Sequence, residues 1–159
     1  MELNNDHIEK VFSVEETDQV LLISIQPKFS ELIRTGKKTV ELRKRLPKKL
    51  LNLAIVYESS PTKKATFLIK IKRIDAAPTR VIWAKYGKKC AVSREYFNDY
   101  YRGSKRGVAF IIEEVLPLGN SISRERLEEY DLIPPQDYRY ASKEVLKKLI
   151  YADAIRRKI

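Results

Sequence analysis

The chain has 159 residues, enough for one domain, and its 43% hydrophobic and 33% charged residues mark it as globular rather than disordered. One cysteine, Cys90, excludes an internal disulfide and a cysteine-based zinc site, and one histidine, His7, leaves a metal site to carboxylates that do not cluster. The net charge of +11 is uneven: residues 1–18 carry six acids and one lysine, whereas the remainder is strongly basic, so an acidic tail precedes a domain suited to polyanions.

No apolar run approaches the ~20 residues of a bilayer span. The start MELNNDHIEK has acids where a signal peptide has a basic head and an apolar stretch. The expectation is a cytoplasmic protein, monomeric, with no membrane contact, metal or cofactor.

In chain order, residues 1–18 read as an acidic tail or extension. Gln19–Ile25 (QVLLISI) is a branched apolar run and predicts a buried strand. Pro27 opens a short helix with Phe29, Leu32 and Ile33 on one face, and Gly36 stops it as a left-handed cap. Residues 38–45 (KTVELRKR) follow as a strand, with Val40 and Leu42 on one side and Glu41 and Arg43 on the other. Strands are expected over 50–58, 65–74 and 107–115, with a turn at Ser59-Ser60-Pro61-Thr62. Helices are expected over 78–86, after Ser93, over 123–130 and from Ser142 to about Lys158; residues 132–140 read as a proline-bearing loop. Consecutive strands without intervening helices argue for an α+β fold: a small mixed barrel of about five to six strands with short helices around it. The domain spans 19–141, and 142–159 forms a C-terminal helix packed on it.

The densest polar cluster is GKKTVELRKR, residues 36–45. Strand alternation puts Glu41 and Arg43 in one pocket, where a carboxylate and a guanidinium orient each other. With Lys38 they offer cations for phosphate and an acceptor for base or sugar donors. The structural alternative is an exposed ion pair contributing roughly 0–1 kcal/mol. Ser59 and Ser60 have hydroxyls for phosphate but equally shape a turn. Tyr96, Phe97, Tyr100 and Tyr101, at helical spacing, read as core and rim packing, as do Trp83 and Tyr86.

The run LLISIQPKFSELIRTGKKTVELRKRLP, with its GxKxxExR pattern at Gly36, Lys38, Glu41 and Arg43, resembles the opening of ASCH domains, a branch of the PUA-like superfamily. IVYESSPTKK is similar to that family's second landmark, and IPPQDYRYA resembles a late loop of one ASCH branch. The resemblance implies a PUA-like barrel whose cleft is lined by Lys38, Glu41 and Arg43. Lys28, Ser59 and Ser60 would stand at its rim, and Tyr138, Arg139 and Tyr140 would close it. It implies RNA or a modified nucleotide as partner. Two reactions come with it: metal-independent RNA cleavage by Glu41, Lys38 and Arg43, and N4-acetylcytidine-type amide hydrolysis. For the second, Lys38 matches that branch's lysine, but Glu41 stands where the branch has a threonine.

Overall fold

Gln19–Ile25 forms β1, and Pro27 fills the first position of α1 (Pro27–Arg34), where its missing N–H costs nothing. The computed structural model describes residues 6, 10–12, 18–49 and 51–156, so His7 and most of the acidic segment lie outside the described residues. After α1 the chain reverses at Gly36, whose φ of +78° a side chain would strain. Then come β2 (Val40–Arg43), β3 (Leu53–Glu58), β4 (Lys64–Pro78), α2 (Thr79–Tyr86) and α3 (Arg94–Tyr100). β5 (Arg106–Ser123), α4 (Arg124–Glu128), β6 (Tyr138–Ser142) and α5 (Lys143–Arg156) complete the order. Ser93 and Ser123 cap α3 and α4 by accepting from Tyr96 N and Arg126 N, and Ser142 Oγ accepts from Val145 N in the first turn of α5.

The segment 132–140, expected as one loop, splits in two. Pro134 and Pro135 keep its first part irregular. From Tyr138 the chain is extended and pairs antiparallel with β1, Tyr138 opposite Ile23 and Ser142 opposite Gln19. The alternation of YRYAS carried that signal, but the prolines beside it masked the strand.

The six strands form one mixed sheet in the order β2-β5-β4-β3-β1-β6, with β1 and β3 parallel and the other pairs antiparallel. Register shifts in the long β4–β5 pairing, on either side of Ile71 and between Ala65 and Phe67, let these strands bend and the sheet curl. The edge strands β2 and β6 share no ladder, yet side chains join them. Arg45 Nη2 donates to Tyr138 O at 3.0 Å, and the Tyr138 hydroxyl returns a bond to Arg45 O at 2.9 Å. The result is the expected small mixed barrel-like fold, its sheet left open between β2 and β6 and bridged there by side chains.

Because strand side chains alternate, β1 and β3 feed two cores. Leu21, Ile23, Ala54, Val56, Phe67, Ile69 and Phe110 fill the barrel interior. Val20, Leu22, Leu53, Ile55 and Leu68 face the opposite side, where Leu146 and Leu149 of α5 cover them and Val11 and Phe12 join. A third cluster lies under α2 and α3, where Val40 and Leu42 meet Ile82, Cys90, Phe97 and Tyr101. Gly107 makes that packing possible, since a Cβ there would sit 2.8 Å from the Tyr101 ring. Among the described residues, no helix is long and apolar enough to cross a membrane.

Candidate functional site

The barrel seam opens into a cleft of about 890 Å³. β2 and α3 contribute one part of its lining, the turn after β3 and the start of α4 another, and the 134–137 segment a third. Five cationic side chains line it (Lys38, Arg43, Lys44, Lys63 and Arg124) against two acids, Glu41 and Asp137.

Lys38 is placed by the reversal at Gly36: its amide donates to Leu32 O at 2.9 Å, which pins the residue against the end of α1. Its side chain is 3% exposed. Lys38 Nζ donates to Cys90 O at 2.6 Å, lies 3.4 Å from Glu41 Oε2, and sits 5.3 Å from the Phe29 ring centroid. Strand alternation brings Glu41 and Arg43 to the same side as expected, with Arg43 Nη2 donating to Glu41 Oε1 at 3.2 Å.

Arg43 is otherwise occupied by the protein. Nη1 donates to Asp137 Oδ1 at 2.8 Å and to Asp137 O, while Nη2 donates to Ser24 O at 2.7 Å. Burial works against its charge, but Glu41 and Asp137 outweigh that and raise its pKa. The guanidinium thus ties β2 to β1 and to the 134–137 segment, which Ser24 also holds by donating from Oγ to Pro135 O. Among the described residues, two buried polar atoms of the cluster find no hydrogen-bond partner, Glu41 Oε2 and Arg43 Nε.

The aromatic four on α3 divide. Phe97 and Tyr101 enter the core, and the Tyr101 hydroxyl donates to Arg43 O at 2.9 Å. Tyr96 and Tyr100 line the cleft, and Phe97 also reaches it from the core. Tyr96 packs edge-on against Phe29 at 5.5 Å and remains 37% exposed. Burial raises the Tyr100 phenol to about 12, so it stays protonated at neutral pH and acts as a donor, not a base. Lys44 Nζ lies 5.0 Å from the Tyr100 ring centroid.

The structure therefore brings Lys38, Glu41, Arg43, Ser59 and Ser60 to one cleft. Lys28 is exposed behind its aromatic wall, with Nζ over the Phe29 and Tyr96 rings at 4.9 and 5.7 Å. Tyr138, Arg139 and Tyr140 do not line it. As β6 residues they follow the strand's alternation: Tyr138 is buried against Phe110, Arg139 is exposed, and the Tyr140 hydroxyl accepts from Lys49 N. Their immediate predecessors, Pro134, Pro135, Gln136 and Asp137, take the position expected for them. Lys44, Lys63, Arg124 and Tyr96 were not singled out by sequence as cleft residues. Thr39 is exposed and outside the cleft.

A curled mixed sheet with a charged cleft at its seam defines a class, and comparison with known proteins fixes which. The profile of the ASCH domain matches residues 23–118. The chain belongs to the ASCH domain family. It is 30% identical over 132 residues to an ASCH domain-containing ribonuclease of Zymomonas mobilis, covering 81% of this chain and 88% of that protein. The crystal structure of ASCH from Zymomonas mobilis superposes with a TM-score of 0.76 at 29% identity, over 82% of this chain and 93% of that one. The large ribosomal subunit protein uL22 of Ureaplasma parvum is 27% identical over 128 residues, 79% of this chain but 40% of that protein. At 10% identity and a TM-score of 0.51, the N-terminal domain of Staphylothermus marinus McrB shares the fold.

Proposed function

We propose that the cleft binds single-stranded RNA, with a phosphate beside Lys38 and Lys44 and a base against the Tyr96–Phe29 wall. The observation that carries this reading is the pairing of surplus positive charge with exposed aromatic edges in one concavity. Polyanion attraction needs the former, and sequence-tolerant stacking, about 1–3 kcal/mol per base, needs the latter. In this reading Arg43 is a positioning residue: both of its terminal nitrogens are committed to Glu41, Asp137 and Ser24 and its Nε is buried, so it holds the cleft's shape instead of gripping phosphate.

A second reading, RNA cleavage in the same cleft, is favoured by the ribonuclease among the relatives. Glu41 Oε2, which accepts no hydrogen bond among the described residues and has the Lys38 ammonium 3.4 Å away, is the acceptor for a 2′-hydroxyl proton. The freed 2′-oxygen attacks phosphorus, the 5′-oxygen leaves with a proton from the Lys38 ammonium, and the products are a 2′,3′-cyclic phosphate and a 5′-hydroxyl. Amide hydrolysis lacks such support: Glu41 stands where the amide-hydrolysing branch has its threonine, and Thr39, the threonine two residues away, lies outside the cleft.

Incubation with single-stranded RNA, duplex RNA and N4-acetylcytidine, with and without chelator, separates these readings. A salt-dependent shift of intact single strands supports binding alone. Chelator-resistant cleavage lost in Glu41→Gln supports the nuclease. Release of acetate, or no affinity for any RNA, would overturn both.

A further inference from the structure

The cleft has a second basic corner, built by other elements than those that carry the Lys38 cluster. The sheet register creates it: Lys64 pairs with Ser123 across β4 and β5, so Lys63 and Arg124, the next residues out, lie side by side. Arg124 N donates to Lys63 O at 3.1 Å and fixes that neighbourhood. Lys63 has φ +51°, a conformation that costs a non-glycine residue roughly 1 kcal/mol or more unless its surroundings hold it. Its amide donates to Ser59 O, so the turn carrying Ser59 and Ser60 is tied to the same corner.

The chemistry there differs from that of the motif. Lys63 is exposed, and among the described residues no acid lies within ion-pair distance of its ammonium. Arg124 gives Nε to Glu128 Oε1 at 2.8 Å, and among the described residues its terminal guanidinium nitrogens make no hydrogen bond. Ser59 and Ser60 add hydroxyls. Two cations and two hydroxyls on a preset backbone form an oxyanion receptor. A cleft of about 890 Å³ is near the upper end of the ~300–1,000 Å³ of small-molecule pockets, so it has room for more than one nucleotide.

Building on the RNA-binding reading, we infer that Lys63, Arg124, Ser59 and Ser60 form a second phosphate subsite, which makes the preferred ligand a strand with two consecutive phosphates instead of a mononucleotide. Lys38 and Lys44 take one phosphate, and the Lys63–Arg124 corner takes its neighbour.

The test uses 2′-O-methylated probes, which cannot be cleaved: a dinucleoside monophosphate, and the same dinucleotide carrying an added 5′- or 3′-phosphate. For the unaltered chain, the added phosphate at one of the two ends raises affinity on the order of tenfold, the scale of one charge-assisted contact. The other end gives little, and the favoured end sets the strand's direction. In the Lys63→Asn, Arg124→Gln double variant that gain disappears; asparagine tolerates the left-handed backbone. Lys63→Asn alone, at an exposed position, loses part of the gain and guards against a folding defect at Arg124. A gain that survives in both variants, or that is absent from the unaltered chain while the dinucleoside monophosphate binds, overturns the subsite and leaves the RNA-binding reading standing. No binding of any probe overturns both.

Discussion

In one group of cleft residues, Lys38, Glu41 and Arg43 are each more than nine-tenths buried and partner one another; in another, Lys63 is exposed and Arg124 is 44% exposed. The two groups serve different ends. A buried charge survives only with a counter-charge, and the pairing fixes its geometry. An exposed cation contributes little to stability and is free for a ligand. The motif that stands out in sequence is thus partly scaffold, while part of the ligand-facing charge comes from residues that look ordinary.

The largest way to break this contrast is Glu41→Ala. It strands Lys38 and Arg43 without their shared counter-charge and should cost about 3 kcal/mol, because truncating one partner of a buried pair leaves the other uncompensated. Denaturant unfolding reads that loss, whereas Lys63→Asn should leave the midpoint nearly unchanged. Next, Tyr96→Ala should weaken single-stranded RNA binding by about 1–3 kcal/mol with stability almost unaltered. Loss of stability without loss of affinity would make Tyr96 a packing residue.

Alkali sharpens the comparison through Tyr100, near the buried group. Its folded pKa of about 12 lies above the ordinary 10.0, so the folded state holds the proton more tightly. This contribution is complete below pH 10 and is lost as pH rises towards 12, the direction required when the native state binds more protons. Unfolding midpoints followed across that window should fall less steeply in Tyr100→Phe. The smallest effect belongs to Lys44→Gln, which should lower the steepness of the salt dependence of RNA affinity by about one phosphate's share while changing stability by less than about 0.5 kcal/mol.

Much of the fold was legible because local rules and tertiary demands agree. Pro27 and Gly36 bracket α1, Ser93 caps α3, and the alternation in VELR puts Glu41 and Arg43 on one face. The mixed barrel followed from strands that succeed one another without helices. The site was legible only in part. Lys63 and Arg124 are sixty-one positions apart and meet only through β4–β5 register, which no local pattern encodes. Tyr96 and Phe97 are sequence neighbours of similar chemistry that both reach the cleft, and only the packing of α3 decides that Phe97 is buried while Tyr96 stays exposed. Tyr138 was misplaced for a related reason: pairing with β1 turned an apparent loop aromatic into the barrel interior.

Affinity for a 2′-O-methylated single-stranded oligonucleotide, measured across a salt series, bears most directly on the claim that this cleft holds phosphates. Two phosphates neutralised in the cleft require log K to fall against log salt with a slope of about −1.4, since each single-strand contact contributes about −0.7. The slope should become shallower when Lys63 and Arg124 are replaced. A flat salt dependence, or one that no substitution in the cleft alters, would contradict it.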